Sequence, residues 1–338
     1  MFLAIDQKTR LCLLLLGLVS ILMPGLMFAG TAGLDSEVKA VRVAMSLTPL
    51  SAPFIIAEDQ KFFIEESVDV HITDFIGGHR TVKALFSGEF DLATSSEVVV
   101  MFNSFARDDF SVLASFVSSN NDLKILSHRN AGIRNVVDLT DHRVGIVSGS
   151  SAQFFLEETL LVAGVESDSV DMVHVDPEAM LKALSDRSVD AIVIWEPLAY
   201  QIHKSLKDDV LIVPNDKVYT ETFNALVMRE FARKNPDILA SVVTALEKAI
   251  EFINKNPQRS QKIVANRIGE DVNLIKAIWN DFSFELSLHQ WLLTTLETQA
   301  RWAIERHLVD QSEMINYLMF LDTSILDRVK PGSVTLFR

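Results

Sequence analysis

Several short segments of this chain place small hydroxylated, glycine or acidic residues where an apolar run gives way to a helical pattern. Ser148-Gly149-Ser150-Ser151 follows RVGIV and precedes AQFFLEETLLV. A helix start exposes unpaired backbone N–H groups, which suit an anion or a polar ligand. Thr94-Ser95-Ser96-Glu97 ends the run DLATS in the same manner, and Gly77-Gly78-His79-Arg80 ends VDVHITDF. Leu47 to Ser51 follows the first apolar run, VRVAMSL. Trp195-Glu196-Pro197 follows VDAIVIW, where a ligand amine would pair with Glu196 and a ligand stem would pack on Trp195. Each segment also has a purely structural account. The serines are common N-caps, the glycines common turn formers, and Glu196 fits a solvent-facing position beside a core Trp.

Open α/β sheets bind ligands beyond the carboxyl ends of their strands, where helix starts also point. The expected ligand set is therefore Leu47, Thr48, Ser51, Gly78, His79, Ser95, Ser96, Ser150, Ser151, Ala152, Gln153, Trp195 and Glu196. His79 or Arg80 would bring positive charge. Catalytic patterns are missing from the sequence: there is no His-Glu-x-x-His pair, no Gly-x-Ser-x-Gly elbow and no Walker loop, and the 8 histidines are scattered. No catalytic residue, metal site or cofactor is expected. Trp279, Trp291 and Trp302 lie on helically periodic stretches and are assigned to the core.

The elements that position these segments alternate short apolar runs with helical stretches from Val41 onward, the pattern of βαβ units in an α/β fold. SAPFIIAEDQKFF reads as a helix with Ser51 as its N-cap and Pro53 in its first turn. A polar stretch from Asn130 to His142 precedes a second βα series, and beyond Asn235 the periodicity is read as almost entirely helical. Two βα lobes with a helical tail admit a discontinuous arrangement with a two-crossing hinge, or two consecutive domains.

With 338 residues, 49% hydrophobic and 22% charged, the chain is globular and long enough for two domains, and its net charge of −14 opposes a nucleic-acid partner. Lys8 and Arg10 precede the apolar run Leu11 to Phe28, which is followed by AGTAG. That order is read as a cleaved export signal over residues 1–32, with an uncleaved membrane anchor as the alternative. Cys12 is the only cysteine, so a cleaved chain would hold no disulfide and no thiol chemistry.

Taken in order, PFIIAEDQKFF, the GG turn, ALFSGEFDLATSS, DLTDHRVGIVSGSSAQFFLEETLLVAG, VDAIVIWEP and YLMFLDTSILDRVKPGSV resemble the solute-binding proteins of ABC importers for nitrate, sulfonates and taurine, and the related pyrimidine (thiamine-precursor) binders. The resemblance implies a type II two-lobed periplasmic binding fold with discontinuous lobes. Lobe one would span 38–127 and 223–338, and lobe two 128–222. It implies a periplasmic, monomeric, non-enzymatic protein that holds a small anionic or zwitterionic solute between its lobes and delivers it to a membrane permease. Ser150, Ser151 and Ala152 match the family's anion-facing turn, and Glu196 a carboxylate that faces a ligand amine in some members. His79 departs from the smaller or uncharged residue usual after the glycines. A ligand-sensing module is the rival role. Fungal thiamine-precursor synthases share the fold, but this chain lacks their cysteine-rich iron site.

Overall fold

Two β-sheets organise the protein in a computed structural model that describes residues 40–337. The expected export signal at 1–32 lies outside the described residues. The strands are β1 (Ala40–Ser46), β2 (Asp69–Phe75), β3 (Leu92–Ser96), β4 (Phe110–Ser119), β5 (Leu123–His128), β6 (Arg143–Ile146), β7 (Asp171–His174), β8 (Ala191–Trp195), β9 (Val210–Val213), β10 (Glu221–Met228), β11 (Phe282–His289) and β12 (Val334–Thr335). The first sheet runs β12-β11-β4-β10-β3-β1-β2, and the second β7-β6-β8-β5-β9. Parallel pairs join β1 to β2 and β3, and β6 to β7 and β8. β10 and β5 are antiparallel to both of their neighbours. The chain therefore builds part of one sheet, crosses to complete the other, and returns.

Both crossings are short. The first is Asn120 to Asp122, between β4 and β5, and the second runs from Pro214 to Thr220, between β9 and β10. The apolar run LKILSH, read as the end of lobe one, pairs with β8 and β9 in the second sheet. The first crossing thus precedes the expected 127/128 boundary. Glu97 ties the second crossing to the first sheet. Its carboxylate accepts the Thr222 amide at 2.7 Å, the Thr222 hydroxyl at 2.8 Å, the Gln299 amide at 3.0 Å and the Tyr219 hydroxyl. These bonds offset the desolvation of a fully buried carboxyl, whose pKa burial nevertheless raises.

Three local expectations are corrected. The region beyond Asn235 is mostly helical but contains β11, whose alternating sequence FSFELSLH buries Phe282, Phe284, Leu286 and Leu288 against the first lobe. Ser51 does not cap its helix through its side chain. Its hydroxyl donates to the Ser46 carbonyl at 2.7 Å, while Thr48 accepts the Leu50 amide ahead of a single 3-10 turn. The helix expected to continue through Phe63 breaks after Gln60, where Lys61 adopts a left-handed φ of 64°.

Candidate functional site

Between the sheets, walls from both lobes, the first crossing and the start of β10 enclose a cavity of about 30 Å³. Lobe one contributes Ser46, Thr48, Leu50, Gly77, Gly78, His79, Ser96 and Val99. Lobe two contributes Ser150, Ser151 and Trp195. The first crossing contributes Asp122, and the start of β10 contributes Glu221 and Phe223. That volume holds about two water-sized groups. A larger solute enters only if the lobes part or side chains move. The lobes are clasped in this state. Arg80 pairs with both oxygens of Glu178, and Arg306 reaches Glu157 at 2.9 Å and Asp168 at 2.7 Å. The Thr48 hydroxyl donates to the Glu196 carbonyl at 3.4 Å.

Three helix starts reach this region: Gly78–Phe86, Glu97–Ser104 and Ser151–Val162. Gly78 is required by close approach, because a Cβ there would lie 2.4 Å from Ser95 Oγ and 3.1 Å from Ser95 Cα. Gly149 takes a left-handed φ of 71°, which turns the chain into its helix. The serine hydroxyls expected to face a ligand are mostly committed within the protein. Ser150 Oγ donates to the Val147 carbonyl at 2.6 Å and accepts the Ala152 amide at 3.2 Å, and the Ser151 hydroxyl bonds Glu221.

Of the thirteen residues expected from sequence, Thr48, Gly78, His79, Ser96, Ser150, Ser151 and Trp195 line the cavity, and the other six do not. The Leu47 amide pairs with the Phe75 carbonyl, and Ser51 turns to Ser46. Ser95 lies buried under Gly78 with its hydroxyl unpartnered. Ala152 serves the Ser150 cap, and Gln153 accepts the Gly149 amide at 3.0 Å. Glu196 is absent from the lining, and its Oε2 accepts the Tyr200 amide at 3.0 Å. The positive charge expected from the GGHR turn is also reduced. Burial and then Arg80 lower the His79 pKa, and Arg80 is engaged by Glu178.

Sequence reasoning missed the two acids of the wall. Asp122 is 2% exposed with neither carboxylate oxygen partnered, and Glu221 is 3% exposed with Oε2 unpartnered. Burial, followed by the Glu196 charge, pushes Asp122 well above the usual carboxylate range. Burial, then Asp122 and Glu97, do the same to Glu221. Lys124 attracts Asp122 and Glu196 from a distance, but its ammonium donates to the Asn121 carbonyl.

A second, open groove of about 800 Å³ runs past Phe154, Tyr219, Trp291 and Thr294. None of its lining side chains has a buried polar atom without a partner. Trp291, assigned to the core from sequence, lies on its wall and is 37% exposed, whereas Trp279 and Trp302 are buried.

With this geometry in hand, the pattern of the family described as NMT1/THI5 like matches residues 48–260. The chain belongs to that family. Among curated relatives, this NMT1/THI5-like protein is 26% identical to a putative aliphatic sulfonates-binding protein of Bacillus subtilis, over 70% of the chain and 72% of the relative. It is 23% identical to the taurine-binding periplasmic protein of Escherichia coli, over 68% and 72%. Its fold matches the periplasmic aliphatic sulphonate binding protein SsuA of Escherichia coli with a TM-score of 0.72 at 18% identity, over 85% of this chain and 98% of that one. The two-sheet arrangement is thus the periplasmic binding protein fold.

Proposed function

We propose that this protein is the extracytoplasmic, non-enzymatic solute-binding component of an ABC importer. It captures a small anionic or zwitterionic solute between its lobes and delivers it to a membrane permease. The observation that carries the reading is the buried cavity at the seam of the two sheets, walled by both lobes, the first crossing and the start of β10. A ligand touching both lobes favours the closed arrangement, whereas one touching a single lobe leaves the equilibrium unchanged. The sulfonate- and taurine-binding relatives fit a solute whose anionic end meets the amides at the helix starts. A flat aminopyrimidine is the second reading, favoured by two aromatic rings in the lining, His79 from lobe one and Trp195 from lobe two. Among the described residues no helix is long and apolar enough to cross a membrane.

Thermal melts test this against taurine, ethanesulfonate, nitrate, short carboxylates and 4-amino-5-hydroxymethyl-2-methylpyrimidine. A ligand at one hundred times its Kd stabilises by about 2.7 kcal/mol, or about 5 °C for a chain of this size. We expect at least one solute to reach that shift, and Ser151→Ala to require at least tenfold more of it. No shift from the whole panel, or a shift indifferent to Ser151, would overturn the reading.

A further inference from the structure

We infer that the solute carries a positively charged nitrogen group, an ammonium or a protonated amidine-like edge, which seats against Asp122 and Glu221. The inference rests on the solute-binding reading of this cavity and sharpens it: a bare anion such as nitrate or an alkanesulfonate is not the intended cargo.

Buried carboxylates are normally bonded, because a group that loses water and gains nothing is costly. Here three carboxylate oxygens on one cavity wall, both of Asp122 and Oε2 of Glu221, have no partner. The charged groups acting on them are Glu196, Asp281 and Glu97, all acidic, and Lys124, which already donates to the Asn121 carbonyl. The surroundings therefore supply an excess of negative charge and too few donors. A ligand cation with two or three N–H groups supplies both.

Position adds a second reason. Asp122 ends the first crossing between the sheets, and Glu221 begins β10 directly after the second. A cation held by both would tie together the two chain segments about which the lobes must turn. The Asp122 carbonyl already accepts the Glu196 amide at 3.1 Å, and Glu221 holds the Ser151 hydroxyl, so each acid's residue also contacts lobe two. Occupancy of the pair is thereby coupled to closure.

Paired probes that differ by the amino group test the inference on the intact protein by calorimetric titration: taurine against ethanesulfonate, and 4-aminopyrimidine against pyrimidin-4-one. We expect an amine-bearing member to bind about 10- to 100-fold tighter than its counterpart, the range of a single charge-assisted hydrogen bond. Asp122→Asn and Glu221→Gln, tested separately so that a folding failure in one leaves the other, should each cut that preference to a few-fold. Equal binding within both pairs overturns the inference while the solute-binding reading stands, and so does ethanesulfonate binding with no amine bound at 10 mM. An amine preference that survives both substitutions overturns it as well, by placing the cation elsewhere. No binding by any probe overturns the inference and the solute-binding reading together.

Discussion

Gly78→Ala is the sharpest steric probe of the site, because the new methyl would meet neighbours of two different kinds. It would lie 2.4 Å from Ser95 Oγ and 3.1 Å from both Ser95 Cα and Cβ. The hydroxyl is the end of a short side chain and can rotate away. The Cα belongs to β3, which is fixed by pairing to β1 and β10, so the helix start at Gly78 must itself move by a few tenths of an ångström. Overpacking of this kind costs about 1–3 kcal/mol. For a protein of this length that is a fall of about 2–6 °C in melting temperature. The displaced helix start also shifts a wall of the cavity, so solute affinity should fall with stability. Repeating Gly78→Ala in Ser95→Ala and Ser95→Gly backgrounds should shrink the penalty stepwise, the first removing the 2.4 Å contact and the second the Cβ contact as well. Thermal melts of the full double-mutant cycle measure that coupling. A Gly78→Ala protein melting within 1 °C of the parent, or a penalty unchanged across the three backgrounds, would refute the packing argument.

Three further outcomes follow from the charged groups. Because Asp122 and Glu221 hold their protons more tightly folded than unfolded, the ligand-free protein should lose stability as pH rises from the unfolded carboxylate value of about 4 through their raised folded values. Denaturant melts of the parent and Asp122→Asn should then differ progressively in favour of the variant between pH 4 and 8, and a gap that narrows would contradict this sign. Glu97→Gln should destabilise by about 2–4 kcal/mol in the same assay, because a neutral amide bonds the second crossing less strongly and turns a donor toward the Thr222 amide; a cost below 1 kcal/mol would show that Glu97 does not hold it. Arg306→Ala should weaken solute binding about fivefold, near 1 kcal/mol, since the guanidinium is 36% exposed and partly screened while Glu157 is left buried; unchanged affinity would mean that this clasp does not act on the closed state.

The legible parts of this protein were those written in local periodicity. Runs such as VRVAMSL and VDAIVIW announce strands because most positions are buried, and the Gly149-Ser150 turn announces a helix start because the Ser150 hydroxyl caps it, whereas Ser51 and Ser96 precede helices without capping them. FSFELSLH was hidden between long helices, although its strict alternation is the strand signal itself. LKILSH was seen as a strand, but an apolar run says nothing about which sheet it joins, so the first crossing was read too late. The same limit hid the acids. Asp122 and Glu221 stand in polar stretches about one hundred residues apart, with no motif around them, and only the two crossings bring them to one wall. Conversely, Glu196 was the conspicuous acid, yet it does not line the cavity, and one of its carboxylate oxygens accepts an amide of the next helix.

The most direct test is a diffraction structure of the protein crystallised with the tightest-binding probe of the panel. The account predicts the solute in the cavity between the sheets, with an amino nitrogen within hydrogen-bond distance of Asp122 or Glu221 and its anionic or polar end facing the helix starts at Gly78 and Ser151. A solute found in the open groove beside Trp291, or one in the cavity with only anionic or apolar atoms toward the two acids, would contradict it.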